Sequence, residues 1–186
     1  MALLVIACGL TVPALQGFFR GRGLESEAGR LLALARYGQN RAVSEGVPML
    51  LWVDARAGVY GLEVMPGYVD EDVRALEYQV DQTLDLEVSR DTLDPGEQAP
   101  ILGRSDAARS SPNLRSAVRN LGGLPAIRLL PDGFIDELSP RYVKVMESGK
   151  TGEGAARWLV QTTNRLGYEL RPEEPPPLLR SQILRR

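Results

Sequence analysis

The chain has 186 residues, 44% hydrophobic and 25% charged, which suits one globular domain with an extension rather than a disordered segment. Twenty-two basic residues against 24 acidic leave a net charge of −2, with no electrostatic footprint for nucleic acid. Histidine is absent and Cys8 is the single cysteine, which excludes Ser-His-Asp and Cys-His nucleophile systems, imidazole metal sites and intrachain disulfides.

Residues 1 to 19, MALLVIACGLTVPALQGFF, carry no charged side chain. As a helix they would span about 29 Å, close to the ~30 Å hydrocarbon thickness of a bilayer. Gly9, Thr11, Pro13, Gln16 and Gly17 interrupt the segment, and Pro13 is expected to kink or locally melt the helix. Arg20 and Arg22 then open an amphipathic stretch in which Leu24, Ala28, Leu31, Ala35, Gly38 and Ala42 recur every three or four residues. These six fall within roughly 80° of one another on a helical wheel. Leu32 and Val43 widen that stripe. Ser26, Arg30, Ala33, Tyr37, Asn40, Arg41 and Ser44 take the opposite arc. There, Glu27 with Arg30 and Arg41 with Glu45 are spaced to pair on an exposed face. Gly46 followed by Val47-Pro48 stops the helix. The reading is one rod over about residues 2 to 45.

After Pro48 the period falls to about two. Met49 to Val53 and Val59 to Val64, joined across Ala55 to Gly58, read as a β-hairpin. Asp70-Glu71-Asp72 reads as a solvated loop. Ala75 to Val88, where Leu84, Leu86 and Val88 alternate with Asp85 and Glu87, reads as a half-buried strand. Residues 89 to 112 read as a long loop and Leu114 to Leu121 as a short helix. Ala126 to Leu130, the turn Pro131-Asp132-Gly133 and Phe134-Ile135 form a second hairpin pattern. Tyr142 to Met146, Trp158 to Thr162 and Tyr168 to Leu170 supply the last strands, and a proline-rich tail begins at Pro172. The helix can bury its stripe only against the strands, so the fold class is α+β: a long N-terminal helix packed on an antiparallel sheet. The division is residues 1–45 for the helix (1–22 stalk, 23–45 on the head), 46–171 for the head and 172–186 for the tail.

The stretch LLVIACGLTVPALQGFFRGRGLESEAGRLLALARYGQNRAVSEGVPMLLWVD resembles the N-terminal region of type IV pilin-like proteins, most of all the H-type minor pseudopilins of type II secretion. The shared features are an apolar half-helix with an internal proline, a Gly-Phe-basic junction and a small-residue amphipathic half. Ile127 to Gly133 resembles the family's late hairpin. The likeness is good over about residues 3 to 54, patchy over 126 to 146 and absent from the long loop and the tail. It implies a non-enzymatic subunit, single-pass in the inner membrane with its head in the periplasm. Other pilin-like subunits and an assembly platform are its implied partners, with no cofactor and no metal. Leu3, Val5, Ile6, Leu10, Pro13 and Phe18 are then the membrane and fibre-packing residues. Leu24, Ala28, Leu31, Ala35 and Ala42 are the residues that pack helix on head. The family's leader, a basic residue followed by Gly-Phe-Thr-Leu-Ile-Glu, is not found; the sequence opens at Met1-Ala2-Leu3-Leu4, already inside the apolar helix. Either the start lies upstream or this copy has lost processing.

Other readings are weaker. Val5 to Gly9 loosely fits a lipoprotein box around Cys8, but the residues before it include no basic one. Asp70 to Asp72 lacks the glycine-punctuated pattern of a calcium loop. Asp81 with Asp85, or Asp132 with Asp136, could be a glycosidase-type carboxylate pair, yet turn and strand-edge roles explain them. Trp52, Tyr60, Trp158 and Tyr168 sit in strand patterns and read as core. Two alternatives from other classes stay open: a membrane-tethered β-domain that binds a ligand or partner without polymerising, and a soluble enzyme with a pocket on its sheet.

Overall fold

The computed structural model describes the backbone of residues 2–69, 71–89, 124–150, 152 and 154–176, with side chains from Arg22 onward. Helix α1 is a single element, Ala2–Glu45, of 44 residues. At ~1.5 Å per residue it is about 66 Å long. It runs unbroken through Pro13, because a proline deletes one hydrogen bond of a ladder that continues on both sides. Its end is set by Gly46, which takes φ +68° and donates its N–H to the Ala42 carbonyl at 3.0 Å. This left-handed cap satisfies a terminal carbonyl at a φ that a side chain would oppose.

Eight strands follow in two antiparallel sheets. The first contains β1 (Met49–Asp54), β2 (Val59–Val64), β3 (Leu76–Gln79) and β5 (Ala126–Leu129), in the order β3-β2-β1-β5. The second contains β4 (Leu84–Val88), β6 (Tyr142–Glu147), β7 (Ala156–Gln161) and β8 (Tyr168–Arg171), in the order β4-β6-β7-β8. The sequence suggests one sheet; the second arises because the stretch Ala75 to Val88 is two strands. Asp81 divides it: its carboxylate accepts the Thr83 N–H at 2.8 Å and hydroxyl at 2.7 Å, while its carbonyl accepts the Leu84 N–H at 2.9 Å. That local turn competes with an extended chain and sends β4 to the other sheet.

The hairpin β1–β2 pairs Asp54 with Val59 and Met49 with Val64. Its turn is held by Asp54, whose carboxylate accepts the N–H groups of Arg56 and Ala57, both at 3.0 Å. The second hairpin is short: beyond β5 only a bridge from Leu129 to Ile135 pairs, with Gly133 at φ +85° in the turn. The expected loop over 89–112 and the short helix at Leu114 to Leu121 lie outside the described residues, apart from Ser89.

Helix α1 lies against β1, β2 and β5 of the first sheet and against β6, β7 and β8 of the second. One core results. Leu24, Ala28, Leu31, Leu34 and Ala42 from the helix meet Leu51, Tyr60, Leu62 and Ile127 from the first sheet and Val143, Val145 and Leu159 from the second. Gly38 sits where the helix comes closest to the first sheet: a Cβ there would lie 2.6 Å from a methyl of Leu62 and 2.7 Å from one of Leu129.

Candidate functional site

The described half of α1 divides into a buried stripe and a water-facing arc. Leu24, Ala28 and Leu31 are each 1% exposed, Ala35 4% and Ala42 0%. All five therefore lie in the seam between helix and sheets. Tyr37 faces solvent on the other side, and Val43, expected to widen the stripe, is 53% exposed at its edge beside Gly133. Leu3, Val5, Ile6, Leu10, Pro13 and Phe18 lie outside the residues whose side chains are described. Among those that are described, no helix is long and apolar enough to cross a membrane.

Two buried polar groups depart from the helical-wheel reading, which places Glu27 and Arg41 on the exposed face. Each is only 5% exposed. Glu27 does pair with Arg30 at 3.0 Å, but its carboxylate also accepts the Tyr60 hydroxyl at 2.7 Å inside the seam. Burial, and then the Glu27 carboxylate, push the Tyr60 hydroxyl well above the usual phenol range, so it remains a donor. Arg30 reaches over the ring of Tyr78 on β3, 5.6 Å from its centroid, and Tyr78 stands 5.7 Å from Tyr60.

The second group fastens the last turn of α1. Arg41 bonds Glu45 through Nε at 2.8 Å, along the helix. It also grips Asp72 with both terminal nitrogens, at 2.9 and 2.6 Å. Asp72 in turn accepts the N–H of Val64 at 2.8 Å, at the end of β2, and that of Arg74 at 3.0 Å. A bidentate fork of this kind is both strong and directional. Burial alone would raise the Asp72 carboxyl, but the hydrogen bonds from Arg41, Val64 and Arg74 outweigh it and hold the group below the usual carboxylate range. The hydrogen bond to Asp72 likewise outweighs burial at Arg41, whose guanidinium stays charged. The acidic run around Asp72 is thus no simple solvated loop. Its third residue is a half-buried anchor for the helix, 31 positions away in sequence.

Two further bonds complete the fastening. Gln39 donates its side-chain amide to the carbonyls of Gly133 (2.5 Å) and Leu166 (2.8 Å), joining the helix to one turn beside each sheet. Glu25 pairs with Arg157 of β7 at 2.7 Å, close to the point where the buried stripe begins.

The carboxylates considered for catalysis are occupied locally. Asp81 holds its own turn, and Asp132 and Asp136 accept the N–H groups of Phe134 (3.0 Å) and Leu138 (2.8 Å). Asp85 points outward from β4. Among the described residues no cluster of three or more His, Cys, Asp or Glu is placed to hold a metal ion. Trp52, Tyr60, Trp158 and Tyr168 are buried. The Tyr168 hydroxyl donates to the Pro140 carbonyl at 2.5 Å.

No protein-family profile matches the sequence, and no curated protein matches it. Solved structures do resemble the fold. The type IV minor pilin FimU of Pseudomonas aeruginosa superimposes with a TM-score of 0.52 at 15% identity, over 83% of this chain and 92% of FimU. The minor pseudopilin EpsH from the type 2 secretion system of Vibrio cholerae gives 0.46 at 14% identity, over 82% of this chain and 96% of EpsH. With its long helix fastened along antiparallel sheets, the chain has a type IV pilin-like fold.

Proposed function

We propose that this protein is a non-enzymatic minor pilin-like subunit, held in the inner membrane by residues 1–22 and presenting residues 46–171 to the periplasm. It assembles with other pilin-like subunits, through an assembly platform, into a type II secretion pseudopilus or a type IV pilus-like fibre. Residues 172–186 form its tail. The observation that carries the reading is the unbroken helix Ala2–Glu45, whose described side chains supply core residues to the head from Leu24 onward. The first 20 or so residues, uncharged as far as Phe19, make up about 30 Å of that helix. An apolar helix is equally stable in lipid and against sister helices, which lets one segment serve both for storage and for assembly. Leu3, Val5, Ile6, Leu10, Pro13 and Phe18 are the residues assigned to those contacts.

The test is fractionation of the full chain with and without Leu3→Asp. The substitution is expected to shift most of the protein out of the membrane fraction while leaving the thermal unfolding of the head unchanged. A photo-crosslinker replacing Val5 should capture a second pilin-like subunit. Retention with no such capture would match the tethered, non-polymerising module. Full membrane retention of a chain lacking residues 1–22 would overturn the anchor itself.

A further inference from the structure

Away from the α1 seam, the head has an open cleft of about 560 Å³, formed by the turn after β5 and by Arg165. Its lining is mixed, slightly more polar than apolar, and includes two exposed hydrophobic side chains, Phe134 at 41% and Leu138 at 44%, beside the buried Ile135. The backbone carbonyls of Leu166 and of Gly133, in the turn beside the cleft, share the Gln39 amide. The rim is acidic. Glu137 is paired with Arg165 at 2.5 Å. Asp132 and Asp136 each spend one oxygen on a turn N–H, and no cation among the described residues pairs with either. A cleft that sets exposed apolar side chains beside two carboxylates with no described cation partner fits an extended segment that is both aliphatic and basic.

The chain carries such a segment. Residues 177–186, PLLRSQILRR, contain four large aliphatic side chains, three arginines and no acid, arranged as the repeated triplets Leu178-Leu179-Arg180 and Ile183-Leu184-Arg185. The point of departure is also suitable. The Pro176 carbonyl accepts a hydrogen bond from Arg141 at 2.5 Å, and Pro175 is buried. Arg141 follows Leu138 by three residues, at most about 11 Å of chain, and eight extended residues reach up to ~27 Å.

We propose that the segment 178–184, continuing from the Arg141–Pro176 bond, docks in this cleft. Its aliphatic side chains cover Phe134 and Leu138, while Arg180 within it and Arg185 just after it meet Asp132 and Asp136.

The experiment uses the full chain in detergent with a photo-crosslinking benzoylphenylalanine in place of Phe134, and separately in place of Leu138. Both side chains are substantially exposed, so either probe leaves the core intact. The expected result is a light-dependent crosslink within one chain, mapped to residues 178–184. The yield should fall at least threefold in the double variant Asp132→Asn, Asp136→Asn, and fall likewise in high salt. Asparagine still accepts the turn N–H groups, so this change removes charge while keeping the turn. Crosslinks only between chains, crosslinks outside residues 177–186, no crosslink, or a yield indifferent to the loss of charge would each overturn the proposal.

Discussion

Arg41 and Asp72 show how a single side-chain pair fixes the place of an element. A buried guanidinium is tolerable only with its donors satisfied, and Asp72 takes two of them while Glu45 takes a third. Asp72→Asn leaves Arg41 buried with one carboxylate and should cost about 2–4 kcal/mol in urea unfolding of the head. The pH dependence follows from the direction of the shift. The Asp72 carboxyl is held below its ordinary value in the folded protein. In the unfolded chain it titrates near ~3.9, so the unfolded state binds more protons as acid is added. The stabilisation is complete above about pH 5 and drains away as the pH falls through 3.9 toward the lower folded value. Glu45, also lowered by its bond to Arg41, adds to the same slope. Asp72→Asn should therefore flatten the loss of stability between about pH 5 and 3, leaving the residual slope of Glu45. An unchanged acid profile in the variant would show that Asp72 is not the group responsible. None of this is legible along the helix alone: the wheel places Arg41 on the outer arc, and its partner lies in a loop that reads as solvated.

At the scale of elements, the helix and the first hairpin are the readable parts. Apolar residues at a 3.6-residue spacing mark the buried stripe of α1, and the alternation on either side of Ala55 to Gly58 marks β1 and β2. What escapes is whatever depends on a turn inside an apparently continuous pattern. Asp81-Gln82-Thr83 ends one strand and starts another in a different sheet; an Asp two residues before a Thr is the signal that could have located it. The stripe gives the element-level prediction. Ala28 and Ala35 are 1% and 4% exposed in the seam, so Ala28→Glu or Ala35→Glu forces a carboxylate into a buried position. Either should destabilise the head by more than about 3 kcal/mol. An unchanged melting temperature would remove these residues from the seam.

For the molecule as a whole, the core among the described residues begins at Leu24 and closes around two sheets that share one helix. A chain starting at Arg22 retains every core residue of that cluster, together with the Glu25–Arg157 and Gln39 fastenings. It should fold with a melting temperature within a few degrees of the full chain in detergent; a molten, unfolded product would show that residues 2–21 also support the head. Sequence periodicity reaches the α+β class but not the partition into two sheets, because that partition is decided by which distant strands find one another.

The continuity of α1 has a mechanical consequence. A tensile load applied near Ala2 is carried along continuous helical backbone to Leu24, and from there contacts to both sheets share it. Bonds that bear force together must fail together. A head mounted on a jointed or separately tethered support would instead peel away one contact at a time, at far lower force.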